Sequence, residues 1–234
     1  MKMFVTALVF GFLFGVGAIP ADETLRVLGF GDKFEMTARL DIHSGRTTES
    51  RTVEVFFDGT AEHGHRLMAQ VVHPPFLRNM RVLTLSENEA QTTWIRTSRG
   101  IRRVGDRGDN ERIFDSDFLI SDFSGRRIEL PDVPFGKEEP YTYLAAYHND
   151  PNGSQLRITT QPETGFVMQI EFLTADGTVD RRYSVVDTQV IDGQVLPLIA
   201  RMESPIQQSF TEITILRIKT KPDFGPRVFN PAGL

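Results

Sequence analysis

The sequence predicts a mainly β (α+β) protein built on one strongly curved antiparallel sheet of about ten or eleven strands, and three observations predict it. Apolar residues recur with period two rather than 3.6 over most of the chain. The alternating segments are separated by Asn152-Gly153, Thr164-Gly165, Asp176-Gly177 and Asp192-Gly193, dipeptides that tolerate the positive φ angles of tight hairpins. Helical patterning is confined to a few short stretches. A sheet that curls without closing leaves a concave apolar face that helices, loops or a ligand must cover.

The elements follow in order. Lys2, an apolar run over 4–16 and small residues from Gly15 to Ala21 read as a signal peptide over 1–21, cleaved between Ala18 and Ala21. The run of about 13 residues is shorter than the ~20 that span a bilayer. Residues 22–234 then form a single domain. A short helix over 21–30 opens it, with Asp22 as cap. Phe34, Met36, Ala38, Leu40 and Ile42 alternate with polar residues in the first strand. The second, 53–57, ends at a turn on Asp58-Gly59. Strands over 64–73, 80–85, 92–97 and 101–104 follow, the first of these closed by Pro74-Pro75. A helix over 116–123 has Ser116 or Asp117 as cap. The Pro-rich stretch 130–140 is a loop, and one helical turn lies near 143–146. Five more strands occupy 155–160, 166–172, 179–190, 194–202 and 210–220.

Composition excludes several classes. With 26 Lys and Arg against 31 Asp and Glu, the net charge of −5 argues against nucleic-acid binding. The absence of Cys excludes a disulfide scaffold, thiol catalysis and cysteine metal sites, so an exported chain must rely on its apolar core. A 40% hydrophobic content is enough for such a core. There is no phosphate loop, no nucleophile elbow and no His-Glu-x-x-His, and the five histidines show no pairing with a nucleophile. His63 and His65, with Glu62 and His73 near them in sequence, are the one metal-like grouping, and a polar strand end explains them as well. No cofactor is expected, and the chain is not expected to be an enzyme.

Four stretches together resemble the outer-membrane lipoprotein-sorting protein family of the LolA/LolB-like superfamily. They are the strand–Pro–strand of 67–85, Trp94-Ile95-Arg96 running into Ile101-Arg102-Arg103-Val104, the segment from Ile113 to Phe123 containing Asp115-Ser116-Asp117-Phe118 and then Asp122, and the closing Phe229-Asn230-Pro231-Ala232-Gly233-Leu234. The third is similar to a Gly-Ser-Asp-Phe signature, with Asp115 in place of Gly. Pro75 and the lack of a Gly before Met80 are further departures. The resemblance implies a half-open antiparallel barrel, short helices across its mouth, and an apolar cavity for lipid acyl chains or lipidated protein. It also implies a periplasmic, non-catalytic role and a possible inner-membrane lipid exporter as partner.

The inward face supplies the candidate lining. Met36, Leu40, Val55 and Phe57 stand on the first two strands, and Met68, Val82 and Trp94 on the next three. Phe166, Met168 and Ile170 continue the face, and Phe118 comes from the covering segment. An ordinary filled core explains the same pattern. Arg96, Arg102 and Arg103 head a local basic excess, a candidate surface for an acidic partner or anionic lipid. Asp122 is in reach of that basic strand. Two functions follow: a periplasmic carrier of acyl chains, or an envelope accessory or sensor domain that works by protein contact with its cavity filled by its own side chains.

Overall fold

The computed structural model describes residues 33–61, 64–87, 90–104, 111–123, 128–129, 140–147, 153–161 and 164–234. The expected signal peptide, the 21–30 helix, His63 and nearly all of the 130–140 loop lie outside the described residues. The described residues form thirteen strands: β1 Lys33–Ser44, β2 Thr47–Ala61, β3 Gly64–His73, β4 Arg81–Glu87, β5 Ala90–Thr97, β6 Gly100–Val104, β7 Ile128–Glu129, β8 Tyr141–Tyr147, β9 Gln155–Thr160, β10 Val167–Leu173, β11 Val179–Ile191, β12 Gln194–Ser204 and β13 Ser209–Thr220. They form one antiparallel sheet in the order β6-β5-β4-β3-β2-β1-β13-β12-β11-β10-β9-β8-β7. The chain therefore winds outward from β1 to one edge and returns from the other edge to β13, which pairs with β1. Among the described strands two edges remain, β6 and β7, which are consecutive in the chain.

All eleven strands expected from periodicity are present, and β7 and β8 are additional. β8 corrects the helical turn placed at 143–146. Its residues pair in antiparallel register with β9, from Tyr141 opposite Thr160 to Ala146 opposite Gln155, so tertiary pairing overrides the local Ala-Ala preference. The expected turn at Asp58-Gly59 is also absent, because β2 continues to Ala61. The Asp58 carboxylate instead accepts hydrogen bonds from Thr60 and Arg66. At Asp192-Gly193 the turn forms as expected, with φ of 51° and 77° at the two positions, as a primed hairpin turn needs.

The sheet curls. Side chains from β1 to β4 and from β8 to β13 join one buried cluster, including Phe34, Phe57, Leu156, Ile170, Tyr183 and Met202. Strands so far apart in a sheet share a core only if their common face is concave. Bulges contribute to the bending. At Met168, Val186 and Leu216 one strand carries an extra residue that has no partner opposite. All three of these apolar side chains are exposed, which is the local cost of the bend.

The convex face has two finishes. Over β2 to β5 the C-terminal segment lies against it. Phe224, Val228, Phe229 and Leu234 pack on Phe56, Met68, Leu83 and Trp94 as a second apolar cluster. Over β9 to β13 the finish is ionic: Glu171 receives Arg157 and Arg182, at 2.6 and 2.8 Å, and Arg201 bonds Glu212 at 2.9 Å. Burial works to raise the Glu171 pKa, but the hydrogen bonds and charges of Arg182 and Arg157 outweigh it and hold the carboxyl below its usual range.

The sign of the pH dependence follows from that lowered value. Glu171 contributes stability that is fully present above the unfolded carboxyl pKa of 4.5 and is lost as pH falls through the lower folded value. Urea midpoints measured from neutral pH downward are expected to fall less steeply below that point for Glu171→Gln than for the parent chain. Parallel pH profiles for the two proteins would contradict the assignment.

Candidate functional site

Between the two edge strands the chain runs back across the concave face, and residues 111–123 are its described part. This segment is a plug. The helix expected over 116–123 is replaced by two 3₁₀ turns, Ile113–Asp115 and Ile120–Phe123. Local bonding explains the difference. The Ser116 hydroxyl donates to the Ile113 carbonyl at 2.6 Å, and Leu119 N donates to the Asp122 carboxylate at 2.8 Å. Ile113 N and Ile120 N close a small hairpin by donating to Phe118 O and Glu111 O. Phe114 and Asp115 sit in the left-handed region, with φ of 53° and 58°. Asp115 thus occupies, where the signature it resembles has Gly, a conformation in which Gly carries no steric cost.

Polar pins fix the plug to the sheet at several points. Asp117 is fully buried and receives the hydroxyls of Ser209 (2.6 Å) and Thr211 (2.9 Å) from β13, with Arg112 at 3.1 Å. Asp117 is therefore not a helix cap. Asp122 does not reach Arg102 or Arg103. It forms a buried two-pronged pair with Arg181 of β11, at 2.5 and 2.9 Å, and the Arg181 guanidinium lies 4.4 Å from the centre of the Phe172 ring. Arg102 pairs instead with Glu111 at the plug's start. Asp115 pairs at 3.0 Å with Arg51, a buried residue of β2 that also bonds Glu49.

Beneath the plug lies an apolar cavity of about 50 Å³. Its sheet walls are Phe34, Met36, Ala38 and Leu40 of β1, Val53 and Val55 of β2, Leu67 and Ala69 of β3, and Ile213 of β13. Ile113, Phe114, Ser116 and Phe118 close it from the plug. Ser116 is the one polar residue among the walls, and its hydroxyl is turned to Ile113 O. A volume of that size is room for a few water molecules, each needing roughly 10–15 Å³ of such space.

The expected lining divides into groups. Met36, Leu40, Val55 and Phe118 are walls of the cavity. Phe57, Val82 and Ile170 belong to the same buried core but stand outside those walls. Phe166 is half-buried at the entry to β10. Met168 is exposed, because the bulge after Val167 turns it out of the alternation. Met68 and Trp94 lie on the opposite face, under the C-terminal segment, with Leu83 between them in register. The parity of β3 carried a usable signal: Arg66 and Gln70 share the face of Met68, whereas Leu67, Ala69 and Val71 share the other. Phe114 was missed because nothing local to it announces a left-handed residue.

The basic trio also divides. Arg96 and Arg103 share the Trp94 face, and Arg102, opposite Ile95, projects to the concave side. Of the metal-like residues, His65 is buried beside Phe57 and His73 is exposed at the far end of β3. Eight positions of extended chain, at about 3.3 Å each, separate them. Among the described residues no three His, Asp or Glu side chains gather in a metal-binding group.

A curled, half-open antiparallel sheet crossed by a plug on its concave side is the LolA-like architecture. A family model described as "-like: Uncharacterized protein" matches residues 64–234, and the chain belongs to that family. Its fold is similar to that of a DUF1329 family protein from Desulfovibrio piger (13% identity, TM-score 0.74), covering 90% of this chain and 95% of that one. A Vibrio parahaemolyticus domain named for outer membrane lipoprotein sorting shares 12% identity with a TM-score of 0.74, over 91% of this chain and 95% of its own. A LolA superfamily protein from Nitrosomonas europaea shares 12% identity with a TM-score of 0.69, over 93% and 100%. No curated protein matches the chain.

The pins differ in what their loss is expected to cost. Asp122→Ala removes the buried, two-pronged partner of Arg181 and is expected to cost about 3–5 kcal/mol. Arg102→Ala removes a half-exposed pair and is expected to cost no more than about 1 kcal/mol. Urea unfolding of the two variants measures the contrast, and equal losses would contradict it.

Proposed function

We propose that the protein is a non-catalytic carrier of the periplasm, delivered there by the 1–21 signal peptide, that shields lipid acyl chains or the acyl groups of a lipidated protein. The observation that carries this reading is the composition of the cavity: thirteen wall residues with a single hydroxyl among them, closed by two Phe side chains on a crossing segment. Exposing acyl chain to water costs about 0.8 kcal/mol per CH₂, so a soluble carrier needs a dry concave surface and no reacting group. At about 50 Å³ the closed cavity does not hold such a chain, and loading requires the tip of the plug to leave. Phe114 and Phe118 then serve as stand-ins for cargo, keeping the sheet dry when empty. The similarity in fold to a domain named for lipoprotein sorting supports the reading. In this reading the walls named above are the acyl-binding residues, and an inner-membrane lipid exporter is a candidate donor.

The small volume favours a second reading. In it the plug never leaves, the two Phe rings are permanent core, and the domain acts in the envelope by protein contact.

Mass spectrometry of an organic extract of the purified protein separates the two. The carrier reading expects co-purified lipid, and it expects Phe114→Ala to take up a fluorescent fatty acid more readily than the parent chain. A lipid-free extract, together with no uptake by either protein, would sink it in favour of the second reading.

A further inference from the structure

A second recess adjoins the cavity. It is an open groove of about 620 Å³ between the 3₁₀ turn Pro75–Leu77 and the β5–β6 hairpin, with Asp115 of the plug as one wall. That is within the roughly 300–1,000 Å³ typical of small-molecule sites. Consecutive residues of the plug border the two recesses: Phe114 walls the cavity and Asp115 walls the groove. The groove is amphiphilic. Phe76 and Ile101 line it, 81% and 51% exposed, together with Leu77 and Met80, which also pack on the core.

Its charges can be balanced one by one. Asp115 is held by Arg51, and Arg102 by Glu111. Arg99, at the hairpin tip, is exposed, and its guanidinium has no partner among the described residues. The groove thus presents one unbalanced positive charge in a chain whose net charge is −5. A guanidinium binds phosphate oxygens through two parallel hydrogen bonds, which suits a phosphodiester better than a single charged point does. Apolar walls, one spare guanidinium and an adjoining acyl cavity together match the region of a lipid where chain and head meet.

We infer that this groove is the headgroup site for an anionic phospholipid, with Arg99 on the phosphate, Phe76 and Ile101 against the glycerol region, and one acyl chain passing Asp115 into the cavity. The inference rests on the carrier reading and narrows its cargo to lipid of negative charge. A zwitterionic head adds an ammonium, and the one carboxylate of the groove is already engaged by Arg51.

The test is equilibrium binding of delipidated full-length protein to phosphatidylglycerol and phosphatidylethanolamine with identical acyl chains, repeated for Arg99→Glu. Phosphatidylglycerol is expected to bind about tenfold more tightly, because the ammonium of the other lipid would sit beside an unbalanced guanidinium with no free carboxylate to receive it. In Arg99→Glu the ratio is expected to fall to about one. Equal binding of the two lipids by the parent chain, or an unchanged ratio in the variant, would overturn the headgroup site and leave the carrier reading standing. Glycerol phosphate binding as tightly as the lipid would also overturn it, marking a site for soluble phosphate instead. Failure of both lipids to bind would overturn the inference together with the carrier reading.

Discussion

The structure depends on one topological constraint: the two free edges of the sheet, β6 and β7, are consecutive in the chain. Every other connection joins strands that are already neighbours. The passage from β6 to β7 must therefore travel from one edge of a curled sheet to the other. The concave face would otherwise expose a broad apolar patch, which a soluble chain avoids. Routing the connection over that face covers the patch with side chains the chain already has to place. The plug, the cavity beneath it and the groove beside it all follow from that route.

Two kinds of chemistry meet in the crossing segment, and they differ in how they fail. Phe114, Phe118 and Ile120 are held by non-directional burial, worth about 1.5–3 kcal/mol for each large apolar side chain and replaceable by any other hydrocarbon. Asp117 and Asp122 are held by directional bonds that no hydrocarbon can replace. Of the first group, Phe114 and Phe118 close the cavity; the second fastens the segment to β13 and β11. Moving the rings therefore does not require undoing the fastening. Of the two left-handed residues, Phe114 belongs to the first group and Asp115, paired with Arg51, to the second.

Much of the fold was legible because it is local. Period-two alternation located eleven strands, and the short motif around Ser116-Asp117-Phe118 located the covering segment. The cavity was only half legible. Met36, Leu40 and Val55 were found because β1 and β2 are cleanly alternating. Met68 and Trp94 were misplaced because their strands carry apolar residues on both faces, and the C-terminal segment gives the second face a core of its own. Met168 was misplaced by a bulge, which shifts parity by one residue and leaves no mark on composition. Arg181, the partner of Asp122, stands 59 residues away, and no sequence spacing connects the two.

By itself the amino-acid sequence determined the class of the protein, a curved antiparallel sheet with tight glycine turns and an apolar face in need of cover, because alternation and turn chemistry act between residues a few positions apart. Tertiary structure decided which face became the interior, how much of it the plug fills, and which carboxylate each arginine meets. Those outcomes come from pairings across the whole chain, between β1 and β13 and between the plug and the sheet, where burial and charge balance are settled by neighbours that the local sequence does not contain.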